Sequence, residues 1–220
     1  MRIGILGATG PAGKGLAARL ASVGHEVLFG SREVEKAKAG VEELRSAGDR
    51  VSGLVPCDNA WACDAPVVIL AVHADSALAT ARQHAARLSG TIVVSMANHL
   101  VRNGTEFNAV LPPHGSIAAE LQALLWESRV CTAFHLVPAA EFMELDHDME
   151  SDVVVLGDDD EARSTLMEVT RSIPEAAPAG RWIPGERGRH GDLRRCAVDD
   201  QPAPQGPVEP APHRRLRAGR

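Results

Sequence analysis

Three glycines, each three residues after the last, stand between the first apolar segment of the chain and its first helical pattern. The stretch reads GATGPAG, and the glycines are Gly7, Gly10 and Gly13. Glycines in such a loop let the backbone turn tightly and bring its N–H groups close to a pyrophosphate. The N-terminus of the next helix adds its dipole and its free N–H groups, and Pro11 suits the first helical turn. The spacing therefore predicts a dinucleotide-binding loop.

A second candidate site lies about twenty residues further on, where NAD-binding folds place an acid on the adenine ribose. Here the stretch EVLFGSREVEK has Ser31 and Arg32 in that place, and Lys36 follows. A hydroxyl beside a guanidinium suits the 2′-phosphate of NADP, and an ammonium adds a second positive charge. The sequence therefore predicts NADP rather than NAD, with solvated surface charges as the alternative for Arg32 and Lys36.

A parallel sheet is needed to bring these two sites together. Short apolar segments alternate with helical patterns, as is typical of successive β-α-β units. The predicted strands are 2–6, 26–30, 67–72, 91–96, 130–137 and 152–157, and the predicted helices are 11–24, 33–48, 76–88, 116–126 and 158–173. The segment VVILAV is wholly apolar, as expected of a strand with helices on both faces. The predicted fold class is α/β, a Rossmann-type doubly wound parallel sheet.

Composition argues against several other kinds of function. A net charge of −6 argues against a nucleic-acid-binding surface. The four cysteines form no CxxC pair and have no metal-type histidine spacing, so we expect reduced thiols and no metal site. Residues 158–160 are three aspartates, which we interpret as a helix cap at Asp158 and an acidic first turn. No apolar run approaches the ~20 residues that span a bilayer, so we expect a soluble cytoplasmic protein with no membrane partner.

Three segments of the chain resemble one family. They are MRIGILGATGPAGKGLAARLASVGHEVLFGSRE, TAFHLVPAAEF and VLGDDDEA, and together they resemble the NADPH-dependent reductases of coenzyme F420, a deazaflavin. In that family the deazaflavin lies over the nicotinamide, in a cleft between a Rossmann domain and a small C-terminal lobe. Hydride passes directly between C5 of the deazaflavin and C4 of the nicotinamide, so the protein mainly supplies stacking geometry and excludes water. The resemblance implies an oxidoreductase that uses NADP and F420 and forms a homodimer.

The resemblance also implies which residues contact the two cofactors. The expected contacts are Gly7, Thr9, Gly10, Pro11, Ala12 and Gly13 for the pyrophosphate loop; Ser31, Arg32 and Lys36 for the 2′-phosphate; His73, Ala74 and Leu78 for the adenine or nicotinamide half; and Pro138 and Ala139 near the nicotinamide. His135 and Val137 are the expected catalytic residues, because they lie where the family brings the two rings together. His135 either hydrogen-bonds the deazaflavin or only walls the pocket.

The composition changes after residue 175. We expect residues 1–175 to form the NADP-binding reductase domain and residues 176–220, rich in Pro, Gly, Ala and Arg, to form a disordered tail. The family continues here with LRPLDAGxLxN and a long apolar helix. Codons for AAPAGRWIPGE exist that read LRPLDAGSLA when shifted by one base. We therefore interpret the tail as a frameshift that leaves the C-terminal lobe incomplete, with a natural disordered tail as the alternative.

Two other functions stay open at this point. The chain could be an NADP-dependent reductase of another acceptor, such as a flavin, a metal chelate or a small carbonyl or imine. It could also be a non-enzymatic NADP-binding sensor, which an incomplete second lobe would favour. The sequence does not fix the direction of hydride transfer.

Overall fold

The computed structural model describes residues 1–174, 176 and 178–179. In chain order the elements are β1 Arg2–Leu6, α1 Pro11–Ser22, β2 Glu26–Ser31, α2 Val34–Ala47, a 3-10 turn at Asp49–Val51, β3 Leu54–Asp58, α3 Asn59–Ala62, β4 Val67–Leu70, α4 Ala74–Leu88, β5 Ile92–Ser95, β6 Leu100–Asn103, β7 Glu106–Ala109, α5 Ile117–Leu124, β8 Arg129–Thr132, α6 Ala139–Met143, β9 Val153–Val154, β10 Leu156–Gly157, α7 Asp160–Arg171 and β11 Pro178–Ala179.

Seven of the strands in these residues form one sheet, in the order β3-β2-β1-β4-β5-β8-β10. The first six run parallel, and β10 pairs antiparallel with β8. The strand order reverses at β1, whose neighbours are β2 on one side and β4 on the other. Open sheets of this type bind ligands in the crevice beyond the carboxyl ends of the strands at that reversal. The predicted Rossmann-type doubly wound sheet is confirmed.

Both faces of the sheet are covered, which explains its apolar strands. Alternate residues of β4 enter different clusters of buried side chains, with Val67 and Ile69 in one and Val68 and Leu70 in the other. The first cluster holds side chains of α1, α2 and α7, and the second holds side chains of α4 and α5. A strand buried on both sides reads as a continuous apolar run rather than an alternating one.

Several predicted elements differ from the observed ones. The strand predicted at 130–137 ends at Thr132, because the chain turns at Phe134, which has a φ of 63°. The segment predicted as one strand at 152–157 forms two short ones, β9 and β10. The sequence did not predict β3, whose central Pro56 is tolerated because β3 is an edge strand. It also missed the antiparallel pair β6 and β7.

The predicted boundary at residue 175 lies close to the end of the described residues. Beyond it, Pro178–Ala179 pairs in parallel with Val153–Val154. The rest of the predicted tail, at 175, 177 and 180–220, lies outside the described residues, so the frameshift and the incomplete lobe stay predictions. In the part of the chain that the structure covers, no helix is long and apolar enough to cross a membrane.

Candidate cofactor-binding site

The glycines of the loop after β1 differ in what surrounds them. Gly7 has a φ of 81°, and a Cβ there would lie 2.7 Å from the carbonyl oxygen of Ala71, so the turn requires glycine. A Cβ on Gly13 would lie 2.6 Å from the Gly7 carbonyl oxygen, so the close approach of α1 to the loop requires glycine as well. At Gly10 a Cβ would meet only that same oxygen, at an ordinary 3.5 Å. Nothing in the described structure fills the space beside Gly10, which suits close approach of a ligand.

The N-terminus of α1 offers free hydrogen-bond donors beside Gly10. The first amide of the helix with a backbone acceptor is that of Lys14, which donates to the Gly10 carbonyl at 2.8 Å. Within the described residues, the N–H groups of Thr9, Ala12 and Gly13 have no acceptor. No side chain caps the helix, and its first turn holds no acidic residue. Unpaired amides at a helix N-terminus form an anion site, and a pyrophosphate fits this one.

The predicted 2′-phosphate site lies at the carboxyl end of β2, two strands of the sheet away from β4. Ser31 is 4% exposed, and its hydroxyl oxygen accepts a hydrogen bond from the Glu33 N–H at 3.2 Å. Its hydroxyl hydrogen has no acceptor among the described residues and is available to a phosphate oxygen. Arg32 is exposed and takes part in none of the ion pairs that the described residues form. These two residues retain the donors that the prediction gives them.

Lys36 is in a different position from Arg32. Its ammonium pairs with Glu33 Oε1 at 2.7 Å, and both side chains are 64% exposed. The carboxylate of Glu33 therefore offsets the second positive charge that the sequence predicts at this turn. Lys36 can serve a phosphate only by leaving an exposed ion pair, which costs little.

The carboxyl end of β4 lies directly against the glycine loop. A Cβ on Gly7 would be 2.7 Å from Cγ1 of Val72, which joins β4 to α4. His73 is exposed and is the N-cap of α4, with no hydrogen bond from its side chain to the helix. Ala74 and Leu78 are partly buried on the first turns of the same helix. The structure thus brings this predicted group beside the predicted pyrophosphate loop.

His135 lies in the turn that follows β8 and not in the predicted strand. Its Nδ1 is 3.2 Å from Thr132 Oγ1, and that hydroxyl donates to the Ser95 carbonyl at 2.9 Å. Because the Thr132 hydrogen is engaged there, Nδ1 carries the proton of the neutral ring and Nε2 is an acceptor. Burial lowers the pKa of His135, so the ring is neutral at neutral pH.

The backbone at this turn is held under strain. Phe134 is buried and adopts a φ of 63°, which is unusual for a bulky residue. The Asn98 side chain donates to the carbonyl of His135 at 2.5 Å, which ties the turn to the loop after β5. Strain of this kind persists where the surrounding structure over-determines it, most often at ligand sites.

Val137, Pro138 and Ala139 complete the predicted set. Val137 is 8% exposed and packs in the core cluster that holds Phe134 and Phe142. Its side chain therefore supports the turn, and its predicted contact with a reacting ring stays a prediction. Pro138 is exposed at the N-cap of α6, and Ala139 is the first, partly buried residue of that helix.

Sequence reasoning missed Asn98, Ser95 and Thr132, which fix His135. A usable signal was present, because β5 and β8 were both predicted strands and their carboxyl ends meet at one edge of a parallel sheet. The helix cap predicted at Asp158 is one residue further on, where Asp159 accepts from the Ala162 N–H at 2.8 Å. In the described residues no group of three or more His, Cys, Asp or Glu side chains is placed to hold a metal ion.

Comparison with known proteins gives both sequence and structural relatives. The family model described as NADP oxidoreductase, coenzyme F420-dependent, matches residues 2–99. An F420-dependent NADP reductase of Methanocaldococcus jannaschii is 36% identical over 181 residues, which cover 79% of this chain and 80% of that protein. An F420-dependent NADP reductase of Methanothermobacter marburgensis is 28% identical over 181 residues, with the same coverage of 79% and 80%.

Solved structures share the fold. A protein of Arthrobacter sp. FB24, provisionally assigned as an F420-dependent NADP reductase, superposes with a TM-score of 0.65 at 23% identity. That match covers 81% of this chain and 84% of the other. An imine reductase of Bacillus cereus superposes with a TM-score of 0.58 at 17% identity, covering 81% of this chain and 54% of the other. At these identities the likeness concerns the fold alone.

Proposed function

The chain belongs to the family of F420-dependent NADP reductases, and we propose that it transfers a hydride between NADPH and F420 in the crevice at the carboxyl ends of β1, β4, β5 and β8. The observation that carries this proposal is the loop after β1. It combines open space beside Gly10 with unpaired amides at Thr9, Ala12 and Gly13, and it does so at the reversal of strand order. These features fit a bound dinucleotide, and the packing of the fold does not require them.

The adenosine half of NADP is assigned to the end of β2. Arg32 and Ser31 would bind the 2′-phosphate, the first through its guanidinium and the second through its free hydroxyl hydrogen. Lys36 is a weaker contributor, because Glu33 offsets its charge. The pyrophosphate would then lie on the amides of the α1 N-terminus, with His73, Ala74 and Leu78 of α4 along the bound cofactor.

When both cofactors are bound, they supply the chemistry, a hydride passing between C4 of the nicotinamide and C5 of the deazaflavin. The chain's own part is to position the rings and to exclude water. The turn after β8 is suited to positioning the rings, because Asn98 fixes its backbone and the side chains of Phe134 and Val137 are buried in the core. His135 offers a neutral ring with Nε2 as an acceptor, which suits an amide N–H of either cofactor.

The test is direct. The purified protein is mixed with NADPH and oxidised F420, and loss of the visible absorbance of F420 is followed, with FMN, FAD and a cyclic imine as competing acceptors. We expect turnover of F420 at a kcat/KM far above that of the others. NADPH binding without turnover of any acceptor would favour the sensor, and preferred reduction of an imine or a flavin would replace the proposed acceptor.

The proposed oligomeric state rests on the family resemblance, and the proposed cellular location rests on the apolar pattern of the sequence. We propose a cytoplasmic homodimer with small-molecule cofactors as its partners and no nucleic acid. The described cysteines Cys57, Cys63 and Cys131 are buried and free, and burial raises the pKa of each thiol to about 12, as suits inert thiols in a reducing compartment. Sedimentation velocity at micromolar concentration tests the dimer, and a monomer there would contradict it.

A further inference from the structure

Helix α6, which follows the His135 turn, lies unusually close to helix α1. A Cβ on Gly15 of α1 would be 2.7 Å from Cβ of Phe142 and 3.2 Å from the carbonyl oxygen of Ala139. A Cβ at that distance would push the two helices apart, so glycine is the residue that lets them touch here. Phe142 is fully buried at this contact and meets Phe134 edge to face, with ring centroids 6.2 Å apart.

One turn further along the same face of α1, Arg19 reaches across to α6. Its guanidinium donates to the carbonyls of Glu141 and Glu144, both at 2.8 Å, and to that of His147 at 2.9 Å. The Glu141 carbonyl also accepts the Glu144 N–H at 3.4 Å, and the Glu144 carbonyl accepts the His147 N–H at 3.0 Å. Carbonyls at the C-terminal end of a helix can accept a further hydrogen bond, and a cation is the natural donor because it complements the helix dipole. Arg19 therefore closes the C-terminal end of α6 and holds the loop that follows.

The burial of Arg19 fixes the position of α6 but adds little to the stability of the protein. Arg19 is 3% exposed, and its Nε has no acceptor among the described residues. Burial lowers the pKa of Arg19, while the carboxylates of Glu141, Asp148 and Glu144 oppose that shift. A buried charge with an unpaired N–H is costly, and an apolar side chain of similar volume often serves stability as well or better. What an apolar side chain cannot do is bind three carbonyls in a fixed direction.

The two helices that meet at this contact begin at different parts of the proposed site. The N-terminus of α1 is the pyrophosphate loop, and the N-terminus of α6 is Ala139, directly after the turn that carries His135 and Val137. We propose that Arg19 is a positioning residue for hydride transfer, which holds the turn after β8 at a fixed distance from the bound dinucleotide by fastening α6 to α1. This inference rests on the proposed function, because the transfer it serves is the one between NADPH and F420.

Arg50 provides a matched control on the same loop. It donates to the carbonyl of Leu145 at 3.1 Å and pairs with Asp146 at 3.0 Å, but its side chain is 62% exposed. Among the described residues, the hydrogen bond and the ion pair of Arg50 are both made to this loop, and neither is made to α6. If Arg19 had only a structural role, Arg19→Met would resemble Arg50→Met with a larger effect. It would lower the stability of the protein and leave the hydride step of the folded protein unchanged.

The experiment compares Arg19→Met, Arg19→Lys and Arg50→Met with the wild type. NADPH affinity is measured by fluorescence, hydride transfer by single turnover with both cofactors saturating, and the isotope effect with NADPH deuterated at the transferred position. For Arg19→Met we expect NADPH affinity within about twofold and a hydride step slower by on the order of 100-fold, since a displacement of about 1 Å has such effects. Lysine should restore part of the rate, because an ammonium still binds one or two of the carbonyls.

The contrary outcomes are equally clear. A hydride step in Arg19→Met as fast as in Arg50→Met, with only the melting temperature lowered, would overturn the proposal. Should Arg19→Met not fold, Gly15→Ala tests the same contact from the other side, since its Cβ would displace Phe142 and should slow hydride transfer without loss of NADPH binding. A Gly15→Ala variant that folds and transfers hydride at the wild-type rate would equally overturn it.

Failure of the proposed function is a separate result. A wild-type protein that binds NADPH but does not reduce F420 contradicts that function whatever Arg19 does. Amide hydrogen exchange over residues 134–147 then still reports on the contact. Faster exchange there in Arg19→Met, with α1 unchanged, would show that Arg19 holds the segment, and unchanged exchange would show that it does not.

Discussion

The side-chain amide of Asn98 donates a hydrogen bond of 2.5 Å to the main-chain carbonyl of His135. It joins the loop after β5 to the turn after β8, two places that the strand order makes neighbours. The bond therefore fixes the backbone on which the predicted ring-contacting residues stand, close to the strained Phe134.

The first prediction concerns this bond. Asn98→Ala should lower the free energy of unfolding by about 1 kcal/mol or less, because Asn98 is exposed and one hydrogen bond is lost. Turnover of F420 should fall by about tenfold, since the turn loses its fixed position. Steady-state kinetics and thermal unfolding measure the two effects, with Asn103→Ala on the exposed hairpin as the control. Equal turnover in the two variants would contradict the role of Asn98.

The glycine loop and the Ser31–Arg32 turn could be predicted from the sequence because each depends on local backbone chemistry. A tight turn needs glycine wherever it occurs, and strand order places the end of β2 beside the end of β1. The structure adds that Gly7 and Gly13 serve packing and Gly10 does not.

The turn after β8 and the contact between α1 and α6 could not be predicted in this way. The segment VCTAFHLV is apolar except at Thr132 and His135, and nothing local reveals that Phe134 leaves the extended conformation. Arg19 stands in an ordinary helical pattern, while the carbonyls it binds are 122 to 128 residues away in the chain. Contacts between residues so far apart in the chain depend on how the helices pack, and this packing cannot be read from a single sequence.

The second prediction separates the roles of the loop glycines. Gly10→Ala should leave the free energy of unfolding within about 0.5 kcal/mol of the wild type, since its φ of −73° and ψ of 161° suit alanine and its Cβ meets no close atom. NADP affinity should nonetheless fall steeply, because the methyl group occupies the space of the pyrophosphate. Thermal unfolding and a fluorescence titration with NADPH check both parts.

Gly13→Ala is the matched control, since its Cβ would lie 2.6 Å from a backbone oxygen. It should cost about 1–3 kcal/mol of stability, as overpacked sites do. If Gly10→Ala binds NADPH as tightly as the wild type does, the space beside Gly10 is not the pyrophosphate site.

The third prediction concerns cofactor choice. Arg32→Asp should weaken NADP binding by on the order of 100-fold, because a carboxylate replaces the charged donor to the 2′-phosphate and repels it. Binding of NAD should change little, since an acid at this place suits the ribose hydroxyls. Dissociation constants for both cofactors decide the matter, and an equal loss for NADP and NAD would show that Arg32 does not read the phosphate.

Lys36 and Glu33 supply the internal control for that experiment. Because the two side chains are paired at 2.7 Å, Lys36→Met should weaken NADP less than Arg32→Met does. Glu33→Gln should strengthen NADP binding, since it releases the ammonium and removes a negative charge near the phosphate. Tighter NADP binding in Glu33→Gln at low salt, fading as salt is added, is the expected signature.

The fourth prediction is a pH dependence that follows from His135. Burial lowers the pKa of this ring from its usual 6.5, so between the folded and the unfolded pKa the unfolded chain binds more protons. The stability that comes from a neutral His135 is therefore complete above about pH 6.5 and declines as the pH falls below it. Turnover should decline in the same direction, because protonation removes the Nε2 acceptor. Burial also lowers the pKa of His25 and of His84, so part of the decline in stability belongs to them.

The variant that isolates His135 is His135→Gln, which keeps polar atoms and does not titrate. Its melting temperature should depend less on pH than that of the wild type between about pH 5 and pH 8, where histidine changes charge. His84→Gln on α4 is the control, since it should flatten the stability profile and leave the pH dependence of turnover as it is. An acid limb of turnover that persists unchanged in His135→Gln would mean that another group controls the reaction, and His135 would then only wall the pocket.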